Sequence, residues 1–302
     1  MKAHIALLLV TLIYAANYTI AKEVMPRYLT PDALVFTRIL TGMIVFWLLA
    51  SVKTERVAKA DFGRLILSGV FGAAVNMLAF FKGLNLTTPI NASLIMLIVP
   101  IIVLSISAIF YDERITRLKG IGIFLGLIGA GFLVGNGRTI SLSSSGLVGD
   151  LLVCLNATSY AVYLVLVKQL MMKYNTMTVL KWVFTFGFVA VFPFTISDFL
   201  AADFSNLPLN IWLAIGFILV CVTIMTYLFN AYALQYVTAS VVSVYVYLQP
   251  LFASIIALSF GKDSLSFGKI IAYILIFSGV LMVSQKRQFW KQVWLRFSQK
   301  TP

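Results

Sequence analysis

Apolar residues fill this chain in ten long blocks, separated by short polar or proline-bearing joints. The blocks run approximately over 3–21, 32–50, 65–84, 89–110, 117–135, 147–167, 178–197, 210–234, 239–260 and 265–284. Each is close to the roughly 20 mainly apolar residues that carry a helix across a bilayer. Breakers mark most joints: Pro26 and Pro31, Pro89, the Ser-Leu-Ser-Ser-Ser-Gly run ending at Gly146, and Pro208. The pattern predicts an all-α integral membrane protein of ten transmembrane helices. The first block follows Lys2 as a signal peptide would, but it carries Tyr14, Asn17 and Tyr18 and no convincing small-residue cleavage site, so it is read as a span.

The fourth block recurs as the ninth. Thr88 to Pro100 reads T-P-I-N-A-S-L-I-M-L-I-V-P, and Thr238 to Pro250 reads T-A-S-V-V-S-V-Y-V-Y-L-Q-P. The offset 238 − 88 = 150 places Thr88 on Thr238, Ser93 on Ser243, Pro100 on Pro250 and Glu113 on Asp263 without a gap. The first helices of the copies match at 168 − 22 = 146, which places Tyr14 on Tyr160 and Lys22 on Lys168. The chain therefore divides into a first repeat at 1–136, a second at 147–284 and a basic tail at 285–302. Five helices per copy is an odd number, so the copies enter the membrane from opposite sides, as the inverted repeats of secondary transporters do.

Composition agrees with a bilayer setting. Hydrophobic residues make up 61% of the chain, charged residues 11%, and the mean hydropathy is +0.99, against about 45–50% apolar and about 25% charged in soluble domains. The net charge of +13 is distributed by topology: with a cytoplasmic N-terminus, most Lys and Arg fall in inner loops. Both termini are then expected inside a bacterial inner membrane, with the tail against anionic headgroups. No basic cluster is interleaved with stacking aromatics, so no nucleic-acid partner is expected. Cys154 and Cys221 stand singly in apolar runs and His4 is the sole histidine, which indicates neither disulfide, metal nor cofactor. All ten acidic residues lie at or near span ends. That leaves little for an intramembrane enzyme and argues against cargo held on a buried carboxylate.

Polar side chains inside spans are costly unless they face protein or water, so they mark a candidate pathway. Tyr14, Asn17 and Tyr18 form a stripe in the first span, and Asn76 with Phe80 a shorter one in the third. Asn156, Tyr160 and Tyr163 share a helix face in the sixth span, as Tyr227 and Asn230 do in the eighth. Ser93 in the fourth span and Ser243, Tyr247 and Gln249 in the ninth complete the expected substrate-binding set. The competing reading is that such groups merely tie helices together, at about 0.6–2 kcal/mol per contact. Pro100 and Pro250 are hinge candidates, with a static kink as the alternative. Arg38 and Lys82 could hold a carboxylate, or could snorkel to the outer headgroups; Lys22 and Lys168 are expected to anchor helix ends. Gly122, Gly126, Gly131 and Gly135 suit close packing within the chain or a dimer contact, so monomer and homodimer both stay open.

In these segments the chain resembles the drug/metabolite transporter superfamily, specifically proteins with two EamA-type domains. The resemblance rests on Y-A-A-N-Y-T-I-A-K ending at Lys22, Y-A-V-Y-L-V-L-V-K ending at Lys168, N-A-S-L-I followed by Pro100 and Asp112-Glu113-Arg114, and Y-V-Y-L-Q-P ending at Pro250. It spans about residues 1–284, with departures where Tyr14-Ala15 and Tyr160-Ala161 replace a tryptophan-glycine pair and Asp263 replaces a glutamate. The resemblance implies ten helices in two inverted halves that move amino acids and other small metabolites, commonly outward. The expected function is thus a secondary transporter for neutral or zwitterionic amino acids or related compounds, working by alternating access in the lipid bilayer. A drug or nucleotide-sugar carrier is the alternative within transport, and a non-transporting scaffold or an intramembrane enzyme the alternative outside it.

Overall fold

The computed structural model describes residues 1–52, 55–111, 115–135, 144–259 and 267–284, and among them every regular element is helical. Glu113, Asp263 and the 285–302 tail lie outside the described residues. The chain forms α1 (Lys2–Val24), α2 (Pro31–Ser51), α3 (Lys59–Leu86), α4 (Pro89–Met96), α5 (Val99–Tyr111) and α6 (Arg117–Gly135). After it come α7 (Ser144–Met171), α8 (Thr176–Ala201), α9 (Leu209–Tyr236), α10 (Ala239–Val244), α11 (Leu248–Ser259) and α12 (Phe267–Ser284). Seven of the described helical segments are long and apolar enough to cross a membrane, and shorter apolar helices accompany them. Large apolar side chains such as Leu48, Phe110, Phe194 and Leu213 are exposed, while Asn17, Arg38, Asn156 and Thr223 are buried. That distribution suits a body whose solvent is lipid.

Helices pair along their lengths: α2 with α8, α6 with α12, α3 with α7 and α1 with α9. The α6–α12 seam is closed by glycine. A Cβ on Gly279 would lie 2.5 Å from the Gly122 carbonyl oxygen, a distance no side chain tolerates. Gly122 and Gly126 therefore face their own chain, whereas a Cβ at Gly131 would meet nothing within 4 Å.

Local devices recur at the sequence offset. A wide π turn occupies Val70–Ala74 in α3, and another occupies Ile218–Met225 in α9; 70 + 150 = 220 falls inside the second. Thr88 caps α4 by accepting from the Asn91 N–H, and Thr238 caps α10 by accepting from the Val241 N–H. Lys22 donates to the Asn85 carbonyl at the end of α3 (3.0 Å), and Lys168 donates to the Leu234 carbonyl at the end of α9. Each lysine satisfies a carbonyl that the helix end leaves over and opposes the negative end of the helix dipole.

The two helices expected as single runs through Pro100 and Pro250 are each interrupted. Leu97 and Ile98 form tight turns, their N–H groups bonding to the carbonyls of Leu94 and Ile95 at 3.1 Å, and a 3₁₀ turn occupies Tyr245–Tyr247. Pro100 and Pro250 then stand in the first turns of α5 and α11. Proline costs little there, because an N–H at that position has no intrahelical partner to lose. By contrast Pro193 lies inside α8 without ending it.

Candidate functional site

The helices that carry the two π turns border a cavity whose empty space, its open mouth included, is about 540 Å³. A π turn offsets carbonyls from the ordinary ladder and so exposes acceptors to other helices. In α3 the Phe71 carbonyl accepts from Ser159 Oγ (2.6 Å), and the Gly72 carbonyl accepts from the Tyr227 hydroxyl. One turn further on, the Asn76 carbonyl accepts from Asn156 Nδ2 at 2.9 Å. Side chains of α7 and α9 are thereby fixed against α3.

The second π turn holds a charge. Thr223 Oγ1 donates to the Ile218 carbonyl five residues back (2.9 Å) and accepts from Arg38 Nε (2.8 Å). Arg38 Nη2 reaches the Val222 carbonyl at 3.4 Å, and the guanidinium lies 4.7 Å from the centre of the Phe81 ring. Arg38 is only 4% exposed and lines the cavity. Among the described residues no acidic side chain shares the lining.

Aromatic hydroxyls and amides supply the rest of the wall. Tyr14 sits within hydrogen-bonding reach of Thr226, Tyr160 and Asn230. Tyr18 donates to Gln249 Oε1 at 3.2 Å and packs edge-on to Phe80, ring centres 5.6 Å apart. The Oδ1 atoms of Asn17 and Asn156 are buried with no hydrogen-bond partner among the described residues. Met77, Met96 and Val222 provide apolar surface. An organic molecule thus meets donors, unused acceptors, aromatic faces and one cation in a single enclosure.

Of the residues expected from sequence, the cavity brings together Tyr14, Asn17, Tyr18, Asn76 and Phe80 with Asn156, Tyr160, Tyr227 and Gln249. Asn230 stands behind that wall beside Tyr14, and Ser243 Oγ donates to the Ser240 carbonyl (3.0 Å). Ser93 is half-buried in α4, outside the lining. Tyr163 and Tyr247 are turned into packing: a Cβ on Gly72 would lie 2.1 Å from the Tyr163 ring, and one on Gly126 2.3 Å from the Tyr247 ring. Sequence reasoning left Met77, Phe81, Met96 and Val222 out because an apolar residue in an apolar span carries no contrast. It paired Arg38 with Lys82, which the structure separates. Lys82 forms a partly exposed ion pair with Asp32 at 2.9 Å, while Arg38 turns inward.

A second polar cluster joins the start of α3 and the residues just before it to the α7–α8 joint. Lys173 and the Tyr174 hydroxyl both bond to Asp61, Tyr174 also accepts from the Ala58 N–H (3.1 Å), and Glu55 accepts from the Asn175 N–H (2.8 Å). The Asp61 carboxylate holds the Lys173 ammonium above the ordinary lysine value.

The EamA-like transporter family matches residues 1–135 and again 147–285. An uncharacterized transporter of Archaeoglobus fulgidus is 28% identical over 292 residues, covering 95% of this chain and 98% of its own. The uncharacterized transporter YyaM of Bacillus subtilis is 27% identical, covering 80% of this chain and 79% of its own. A solved crystal structure of a protein 20% identical superposes with a TM-score of 0.71 over 93% of this chain and 96% of that one, which speaks for the fold.

Proposed function

Since this chain belongs to the EamA-like transporter family, we propose that it moves neutral or zwitterionic amino acids or related small metabolites outward across a bacterial inner membrane, by alternating access around the cavity. Membrane transport, rather than enzymatic catalysis, is what the family and the named relatives carry. The finer reading rests on the cavity, whose wall draws polar groups from α1 to α3 on one side of the repeat and from α7, α9 and α11 on the other. In this reading α3, the α4–α5 pair, α9 and the α10–α11 pair each count as one span, giving ten in two inverted five-helix halves. The pairing of second helix with second, fifth with fifth and first with third supports that symmetry, as do the recurrent π turns and threonine caps. Both termini then face the cytoplasm, and the binding groups are the nine cavity residues expected from sequence, with Pro100 and Pro250 beside the bending points.

The experiment is counterflow in proteoliposomes loaded with individual amino acids. Saturable exchange of labelled amino acid, absent from protein-free vesicles, is the expected result. Folded protein that exchanges no solute contradicts the proposal.

A further inference from the structure

A guanidinium has five N–H donors. Thr223 and the Val222 carbonyl engage Nε and Nη2 of Arg38, and among the described residues no hydrogen bond engages Nη1. Among the described residues no carboxylate pairs with Arg38. Phe81 offers its ring face, and Tyr14 and Tyr227 lie close enough to feel the charge. The side chain is more than nine-tenths buried and opens onto the cavity. An uncompensated cation at membrane depth is expensive, and intramembrane charges of this kind serve a ligand, an ion path or a relay. Lys82 shows the alternative arrangement: toward the end of α3 it pairs with Asp32 and leaves the cavity.

We propose, building on the transport reading above, that the cavity selects substrates by a carboxylate, which Arg38 receives on its free Nη1 edge. The held orientation matters: Thr223 fixes Nε and Val222 fixes Nη2, so the fork is presented as a rigid donor rather than as a mobile charge. The unpartnered Oδ1 atoms of Asn17 and Asn156 accept N–H donors from the same molecule, an ammonium in the case of an amino acid. Phe80, Met77 and Met96 take its apolar body. A bare amine places its charge in an enclosure that already holds one cation and no anion, so it is rejected; an amide fails to neutralise Arg38 and binds weakly.

The test measures thermal stabilisation of the detergent-purified protein by matched sets of compounds: the protein amino acids and short aliphatic and aromatic monocarboxylates, each beside its amide and its amine. Acids raise the melting temperature of the wild type saturably, while the matched amides and amines do not. Arg38→Gln weakens the acid response by about 10- to 100-fold; Arg38→Lys, which keeps the charge and loses the fork, weakens it less and serves where the glutamine variant fails to fold. If Arg38 only ties α2 to α9, both variants lower the unliganded melting temperature and leave the acid increment unchanged, which overturns the proposal. Equal stabilisation by amides or amines, or none by any acid, overturns it as well. The same compounds in counterflow separate the two readings. Exchange of amines or amides without acids leaves transport standing and removes the role of Arg38, whereas Arg38-dependent binding of acids without exchange removes transport and leaves the recognition.

Discussion

The hydroxyl of Tyr227 in α9 donates to the carbonyl of Gly72 in the π turn of α3, across 155 residues of chain. The bond exists because the π turn offers a carbonyl to a neighbouring helix. It ties the wall of the cavity in one repeat to the other.

Tyr227→Phe removes that donor and leaves a buried carbonyl short of a partner. The expected loss is about 1 kcal/mol of stability, a fall of about 2–4 °C in melting temperature for a chain of this size. Counterflow should decline as well, since the hydroxyl helps hold α9 against α3. Differential scanning fluorimetry beside counterflow checks both.

Gly72→Ala places a methyl 2.1 Å from the Tyr163 ring. The ring is fully buried and cannot swing into solvent, so overpacking costs about 1–3 kcal/mol. Adding Tyr163→Leu should recover part of that loss. A double-mutant cycle in which the two losses simply add would show that the ring does not rest on this glycine.

The helical blocks were legible in the sequence because lipid demands long apolar runs, and the repeat was legible because Thr88 and Thr238 still cap helices. The π turns were not: neither Val70–Ala74 nor Ile218–Met225 contains proline, and the wide turn is stabilised by Ser159, Tyr227 and Arg38 from distant segments. The same distance hid the fate of Tyr163 and Tyr247. Tyr163 shares a helical face with the cavity residues Asn156 and Tyr160, and Tyr247 stands two residues before the cavity residue Gln249, yet each packs on a glycine far away in the chain, Gly72 and Gly126. Arg38 was visible as a charge in a span, but only the position of Thr223 decides that it turns inward rather than toward headgroups.

Asn17→Ala separates binding from folding. Oδ1 of Asn17 is buried with no partner among the described residues, so its removal takes away an unsatisfied acceptor and should leave stability within about 0.5 kcal/mol or raise it. Substrate exchange should fall by about tenfold or more if that oxygen accepts from the substrate. Asn156→Ala, which also loses the bond to the Asn76 carbonyl, should lower both stability and exchange.

The most direct measurement of the account is the two-sided accessibility of the cavity. Met96 lines it, and a Met96→Cys protein in a background with Cys154 and Cys221 replaced by serine provides a single reporter. In oriented membranes, a membrane-impermeant thiol reagent should label residue 96 from either face, with labelling from both faces slowed by a transported solute. Labelling confined to one face, unaffected by any solute that the protein exchanges, would contradict alternating access around this cavity.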